Sequence, residues 1–389
     1  MIQYRNKSSR KESKKLVVLP DWLDPAPWLK NVHQATASRV HAAVDAEIPD
    51  IRDFAALISP AAGHCLESLA QKAQHLTCRH FGRTISLYIP LYLADFCSSG
   101  CVYCAFASDR SQPRRKLEPE DLKRELVALK AKGFDDILLL TGDRTGEAGF
   151  PFLKEAVGIA ADTFHFVSVE SFTMTEKEYH SLARAGCTSI ILYQETYDPI
   201  NYFPLHRWGP KFDYERRLHG PSTALEGGMR SVGLGVLLGL AEPVFDLLCL
   251  YRHASYIRKH YWKAGISVSF PRMQPQLGDY KPTYDITDAY LAQIIFAFRI
   301  CFPDIPLVLS TRESPRFRDN MAGVGISKMS TSSRTTVGGY VQSDASATGQ
   351  FEISDERDVG SFCDVLRGRN LEPVFKNWES IYREPMNAE

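Results

Sequence analysis

The sequence predicts an α/β protein: a (β/α)8 barrel with an N-terminal helical extension and a C-terminal helical segment. Three observations predict it. Past Gly82, short runs rich in β-branched and aromatic residues alternate with amphipathic stretches. The runs are near-continuously apolar, as expected of parallel strands covered on both faces. Eight such units fall within roughly 250 residues, the usual span of a closed barrel. A doubly wound open sheet shares the local signature, so the number of units is what favours closure.

The elements follow in order. The first fifteen residues carry Arg5, Lys7, Arg10, Lys11, Lys14 and Lys15. Such a run could greet an acidic partner or nucleic acid, but is more often a solvated tail. From 22 to about 77 the pattern is helical. Asp53 to Ile58 runs into Ser59-Pro60, a stop followed by a fresh start, and Leu66, Leu69, Ala70, Ala73 and Leu76 then recur at helical spacing. Strands are expected at 84–93, 137–141, 164–170, 189–195, 232–240, 267–271 and 307–310, with 323–330 supplying the eighth. Helices are expected at 118–132, where Glu118, Glu120 and Asp121 suit a helix N-terminus, at 175–185, through Tyr251 and His260, and at 288–300. After Gly338-Gly339-Tyr340 come a polar loop, a last helix at 358–368 and a tail with Trp378. The expected organisation is a tail and helical extension at 1–79, the barrel at 80–335, and a C-terminal segment at 336–389 packed on it.

Composition narrows the function. The chain has 389 residues, 44% hydrophobic and 24% charged, an ordinary globular balance. Its 46 basic and 46 acidic side chains cancel, leaving no whole-chain footprint for nucleic acid. No apolar run approaches the length of a membrane span, and no secretory signal pattern is present. Nine cysteines, an odd number at irregular spacing, argue against a disulfide framework and for a reducing compartment, the cytoplasm.

The most informative motif is Cys97-Ser98-Ser99-Gly100-Cys101-Val102-Tyr103-Cys104. Three closely spaced thiolates hold a cubic [4Fe–4S] cluster by three of its irons and leave the fourth open to a ligand that is not a protein sulfur. An electron-transfer cluster would need a fourth cysteine nearby, and the next is Cys187. A zinc site could recruit Cys78 and His80 to complete a tetrahedron. Three unrelated buried cysteines are the plainest alternative.

Barrel chemistry sits where strands end, and polar residues gather there: Tyr92, then Thr141-Gly142-Asp143, Tyr193-Gln194-Glu195-Thr196, and Ser310-Thr311-Arg312-Glu313. Gly233, Gly235 and Gly239 punctuate the fifth strand, where close backbone packing alone would explain them. Gly142-Asp143 alone would pass for a turn, Gln194 and Glu195 for helix caps, and Arg312 for a salt-bridge residue. Their recurrence at the same end of successive strands raises the functional reading.

At these positions the sequence resembles the radical S-adenosylmethionine (SAM) enzymes. Within them it resembles the aromatic amino-acid lyases, most of all the tyrosine lyases of thiamine biosynthesis. The carriers are the cysteine motif, Leu57-Ile58-Ser59-Pro60-Ala61-Ala62, Tyr88-Ile89-Pro90-Leu91-Tyr92-Leu93 and Tyr193-Gln194-Glu195-Thr196-Tyr197. Ser267-Val268-Ser269-Phe270-Pro271-Arg272 and Ser310-Thr311-Arg312-Glu313-Ser314-Pro315 complete them. The resemblance runs from about 58 to 378.

The resemblance implies a TIM barrel of the radical SAM type and a set of roles. Cys97, Cys101 and Cys104 would ligate the cluster, whose open iron would chelate SAM. Tyr103 would lie near the adenine, Gly142 and Asp143 near the methionine amino group, Gln194 and Glu195 near the ribose. Arg217, with Arg216 as its rival, would hold the SAM carboxylate. The amino acid would lie against Tyr92, its carboxylate on Arg312 and Ser330. SAM would become methionine and 5′-deoxyadenosine, and L-tyrosine would lose its Cα–Cβ bond to give 2-iminoacetate (dehydroglycine) and p-cresol. Implied partners are flavodoxin or ferredoxin as electron donor and the thiazole synthase ThiG as recipient of the product. Neither nucleic acid nor membrane is implied. Two relatives compete. One makes carbon monoxide and cyanide from tyrosine and carries a second, C-terminal cysteine cluster; here only Cys363 lies beyond Cys301. The other cleaves tryptophan. A cluster-bearing sensor or electron carrier is the alternative outside enzymes.

Overall fold

Among the described residues nine strands form one sheet: β1 (Thr84–Ala94), β2 (Asp136–Thr141), β3 (Phe166–Glu170), β4 (Ser189–Ile191), β5 (Ser231–Gly235), β6 (Gly265–Ser269), β7 (Leu307–Leu309), β8 (Lys328–Ser330) and β9 (Glu372–Val374). The first eight pair in parallel with their neighbours, and β1 pairs with both β2 and β8, so the barrel closes as the sequence predicts. The computed structural model describes residues 17–341 and 347–376. The basic run before residue 17 and Trp378 lie outside the described residues.

Alternation along each strand explains how one barrel serves two purposes. On β1, Ile85, Leu87, Ile89, Leu91 and Leu93 are fully buried against the helical layer. Tyr88 and Tyr92 point the other way and pack with Leu138, Leu140 and Val308 inside the barrel. Below them the lumen is wide rather than packed. The space there, open to solvent, is lined by Ser86, Ser168, Ser189, Ser231 and Ser267, and by the ion pair of Lys328 with Asp136.

Several strands are shorter than expected, each for a local reason. The fourth ends at Ile191 because the Tyr193 carbonyl accepts from Arg217 (2.8 Å) instead of continuing the ladder. Glu195 has φ 71°, a left-handed conformation that no regular strand sustains. The eighth begins only at Lys328, since Gly323 and Gly325 adopt φ of 74° and 105° in the preceding turn. β9 is absent from the expected set. It pairs with residues 84–86 of β1 at the barrel floor, and the proline at its centre, Pro373, hides it from pattern reading. Helices Phe150–Ala161, Pro199–Leu205, Tyr214–Glu226 and Pro315–Met321 also go beyond the expected set. The first is apolar almost throughout and so carries little periodicity, and Pro204 and Pro221 interrupt the next two.

The N-terminal extension packs outside the barrel. Asp50 and Asp53 close a capping box on helix Ile51–Leu57. Phe54 lies between Tyr251 and Phe298, with centroids 4.7 and 4.8 Å away. Gln293, on the helix Asp288–Cys301, donates to the carbonyls of Leu57 (2.9 Å) and Ser59 (2.8 Å). The extension thus buttresses the barrel through the helices that follow its fifth and sixth strands.

Candidate active site

β1 ends in an irregularity between Tyr92 and Ala94, and the chain then enters the cysteine loop. The loop is fixed through its backbone. Asp95 accepts from the Arg115 N–H at 2.6 Å. Arg114 donates to the carbonyls of Asp95, Phe106 and Ala107 at 2.7, 2.9 and 2.6 Å. On the other side the Gly100 N–H donates to the Trp208 carbonyl (3.1 Å) and the Val102 N–H to that of Leu205 (3.0 Å). Gly142 is required by close approach: a Cβ there would stand 2.5 Å from the Phe96 carbonyl oxygen and 2.7 Å from the Cys97 Cβ. The glycines of β5 have the packing role. A Cβ on Gly235 would meet the Tyr193 ring at 2.7 Å, so its absence lets Tyr193 turn into the lumen.

These elements line a cavity at the C-terminal rim. Of the residues singled out in the sequence, Cys97, Cys101, Cys104, Tyr92, Tyr103, Gly142, Asp143, Glu195, Arg217 and Arg312 line it. Arg216 is exposed near a helix start while Arg217 is buried, held by the carbonyls of Tyr193 (2.8 Å) and Ser171 (3.5 Å). Of the two, Arg217 is in the lining and Arg216 is not. Gln194 and Ser330 are not in the lining. Gln194 sits between two lining residues, Tyr193 and Glu195, and both polar atoms of its amide are buried without a partner among the described residues. Ser330 pairs in register with Tyr88, lower in the barrel, and accepts from the Thr311 N–H at 3.2 Å.

Other lining residues carry no sequence motif. Lys211 donates to Glu195 at 2.6 Å and lies 5.6 Å from the Tyr103 ring centroid. Gln350 and Phe351 arrive from the far end of the chain. Tyr92 donates its hydroxyl hydrogen to Gln350 Oε1 (2.7 Å), Gln350 Nε2 lies 3.6 Å from Cys104 Sγ, and Phe351 stacks on Arg312. Glu170 ends β3 on the lumen side. A carboxylate at a strand end is a visible signal in the sequence, but Glu170 lies outside every quoted motif.

The donor set suits an iron–sulfur cluster. Burial, helped by the charge of Asp143, pushes the Cys97 thiol up to about 12, and burial raises Cys101 well above its ordinary value. Such sulfurs become thiolates only against a cationic centre. The N–H groups of Ser99 and Asp143 point at Cys97 Sγ from 3.4 and 3.3 Å, the kind of contact that tunes a ligating sulfur. The zinc tetrahedron is not formed. Cys78 is exposed on helix Leu66–Phe81, and among the described residues no group of three or more His, Cys, Asp or Glu gathers around one ion position. Cluster ligands need not converge on a point, because each takes a different iron.

Tyr103 is positioned by its hydroxyl. His206 Nδ1 lies 2.8 Å from the Tyr202 carbonyl, which fixes its hydrogen there. Its Nε2 therefore accepts from Tyr103 at 2.6 Å, and burial keeps the imidazole neutral.

Over 350 residues the chain is 36% identical to the 2-iminoacetate synthase of Escherichia coli (strain K12), covering 90% of this chain and 93% of that protein. The chain belongs to the 2-iminoacetate synthase family. Residues 91–246 match the model of the radical SAM superfamily, and residues 269–372 that of the biotin and thiamin synthesis associated domain. Among solved structures it resembles HydG, a maturase of the [FeFe]-hydrogenase, with 26% identity and a TM-score of 0.87 over 94% of this chain and 82% of that one. HydG from Carboxydothermus hydrogenoformans gives 27% and 0.81 over 93% and 82%. As a member of the 2-iminoacetate synthase family the protein is a radical SAM lyase, with a [4Fe–4S] cluster and S-adenosylmethionine as cofactors. Among the described residues no helix is long and apolar enough to cross a membrane.

Proposed function

We propose that the protein cleaves the Cα–Cβ bond of L-tyrosine to 2-iminoacetate and p-cresol, in service of thiazole formation. The observation that carries this reading is that three cysteines line one cavity with the guanidinium of Arg312, which makes no side-chain hydrogen bond or ion pair with any described residue. Cys97, Cys101 and Cys104 hold the cluster, and Arg217, Glu195 and Tyr103 hold SAM. Bound together and reduced, these cofactors supply an abstractor of hydrogen atoms.

The chain's own residues do the rest. Arg312 takes the substrate carboxylate with a fork that suits two oxygens. Phe351 and Tyr92 wall the pocket, and rigid strand ends set which hydrogen is presented, since reacting atoms must come within about 3–3.5 Å. The apolar wall of Leu140, Phe106 and Leu237 limits water at the reacting carbon.

Flavodoxin or ferredoxin as electron donor and transfer of the product to the thiazole synthase ThiG complete the proposal. None of the nine cysteines is joined in a disulfide, which suits a reducing compartment such as the cytoplasm.

The test is anaerobic reconstitution with iron and sulfide, then SAM, reductant and either tyrosine or tryptophan. Equal amounts of p-cresol and 2-iminoacetate (trapped or as glyoxylate) are expected from tyrosine. Cleavage of tryptophan with no p-cresol from tyrosine would assign the protein to the other lyase.

A further inference from the structure

The cavity holds two charges that the described residues leave without a hydrogen bond or ion pair. Lys211 and Arg217 stand 2.6 and 4.0 Å from Glu195, and Asp143 accepts from Ser99. Arg312 and Glu170 remain. Neither side-chain charge has a hydrogen bond or ion pair with any described residue. Glu170 stands in register between Leu140 and Ile191. Tyr88 and Tyr92 face it from β1, Tyr193 from the end of β4, and Arg312, Lys211, Arg217 and Glu195 from the rim. One unpaired cation and one unpaired anion in a single cavity are the complement of a zwitterion.

We propose that Glu170 receives the α-ammonium of the substrate and takes one of its protons. The proposal rests on the reading above, in which Arg312 holds the carboxylate one carbon away. An N–H bond of the ammonium breaks and an O–H bond forms on Glu170, leaving a neutral amine and a neutral acid. That form matters because the reaction then draws a hydrogen atom from nitrogen, and from a neutral amine this leaves no positive charge behind. Burial, and then the charge of Glu195, raise the carboxyl to about 7, against the pull of Arg312, Lys211 and Arg217. A base near the working pH is what proton transfer favours.

The test uses the cluster-loaded protein with SAM and no reductant, so that binding is measured without turnover. The probes are tyrosine and its deaminated analogue, 3-(4-hydroxyphenyl)propionate. In the parent protein, tyrosine affinity should fall about tenfold or more as the pH drops below about 7, because the protonated carboxyl no longer pairs with the ammonium. The analogue should show no such fall. Glu170→Gln should weaken tyrosine about tenfold at pH 8, leave the analogue and the SAM-bound cluster spectrum unchanged, and slow p-cresol formation about 100-fold once reductant is added. Equal pH dependence for both probes in the parent protein would overturn the proposal whether or not the variant folds. So would a Glu170→Gln protein with parental tyrosine affinity and rate. If the parent makes no p-cresol from tyrosine, the lyase reading itself fails and this assignment with it; failure of the assignment alone leaves parental p-cresol intact.

Discussion

The guanidinium of Arg312 lies 3.3 Å from the centroid of the Phe351 ring. Arg312 follows β7, while Phe351 comes from beyond the barrel's last strand, so the contact joins the rim to the C-terminal segment. Stacking orients the fork and leaves its edge open to the cavity. Phe351→Ala should therefore raise the KM for tyrosine several-fold with little change in iron content. Steady-state kinetics on reconstituted protein checks this, and an unchanged KM would detach Phe351 from substrate binding.

Removing the guanidinium itself should be harsher. Arg312→Ala should lose tyrosine cleavage while keeping the cluster. Arg312→Lys should retain less than about a tenth of the parental kcat/KM, since an ammonium cannot grip both carboxylate oxygens in one plane. Product assays alongside iron quantification separate the two effects. Parental cleavage by Arg312→Ala would refute the assignment.

Gly142 is a packing constraint with a chemical consequence. Gly142→Ala would drive a methyl group into the Phe96 carbonyl and Cys97, displacing the first cysteine. The expected outcome is a folded protein with markedly less iron and weaker visible absorption. Full cluster occupancy in that variant would show that the loop yields more easily than its contacts suggest.

Stability should depend on a buried ion pair below the site. Arg318 and Asp355 are both almost completely buried and pair directly. Asp355→Ala would leave the guanidinium without its partner, at a cost of about 3–5 kcal/mol. Urea unfolding of the cluster-free protein measures it, and a loss under 1 kcal/mol would mean that Arg318 finds another acceptor.

Acid sensitivity has a surface contributor. Burial opposes ionisation of Glu178, but hydrogen bonds from Arg144 and Thr175 hold its carboxyl down at about 2 against an ordinary 4.5. A carboxyl depressed on folding stabilises the fold above its unfolded value and loses that contribution as the pH falls from about 4.5 toward 2. Glu178→Gln should flatten the fall in melting temperature across that window. An identical profile would show the pair to be screened by solvent.

The barrel was legible because its outward strand faces are unbroken apolar runs, and the cysteine loop because three thiolates at that spacing have few other uses. Arg312 stood in a motif at a strand end, whereas Arg217 was named only through the family resemblance. What stayed hidden needs three dimensions. Gln350 and Phe351 are far from the cysteines in the chain and reach them only through the fold. Lys211 is an ordinary lysine until burial sets it beside Glu195. Ser330 and Gln194 sit in the right segments but do not line the cavity: the Gln194 amide is buried without a partner among the described residues, and Ser330 pairs in register with Tyr88. Glu170 offered no motif; its meaning comes from the lack of a partner.

The most direct measurement is electron paramagnetic resonance of the anaerobic, iron-loaded, reduced protein with and without S-adenosylmethionine. The account predicts a [4Fe–4S]+ signal that changes when SAM is added and disappears in Cys101→Ala. A signal indifferent to SAM, from a cluster whose four irons all carry protein ligands, would contradict it.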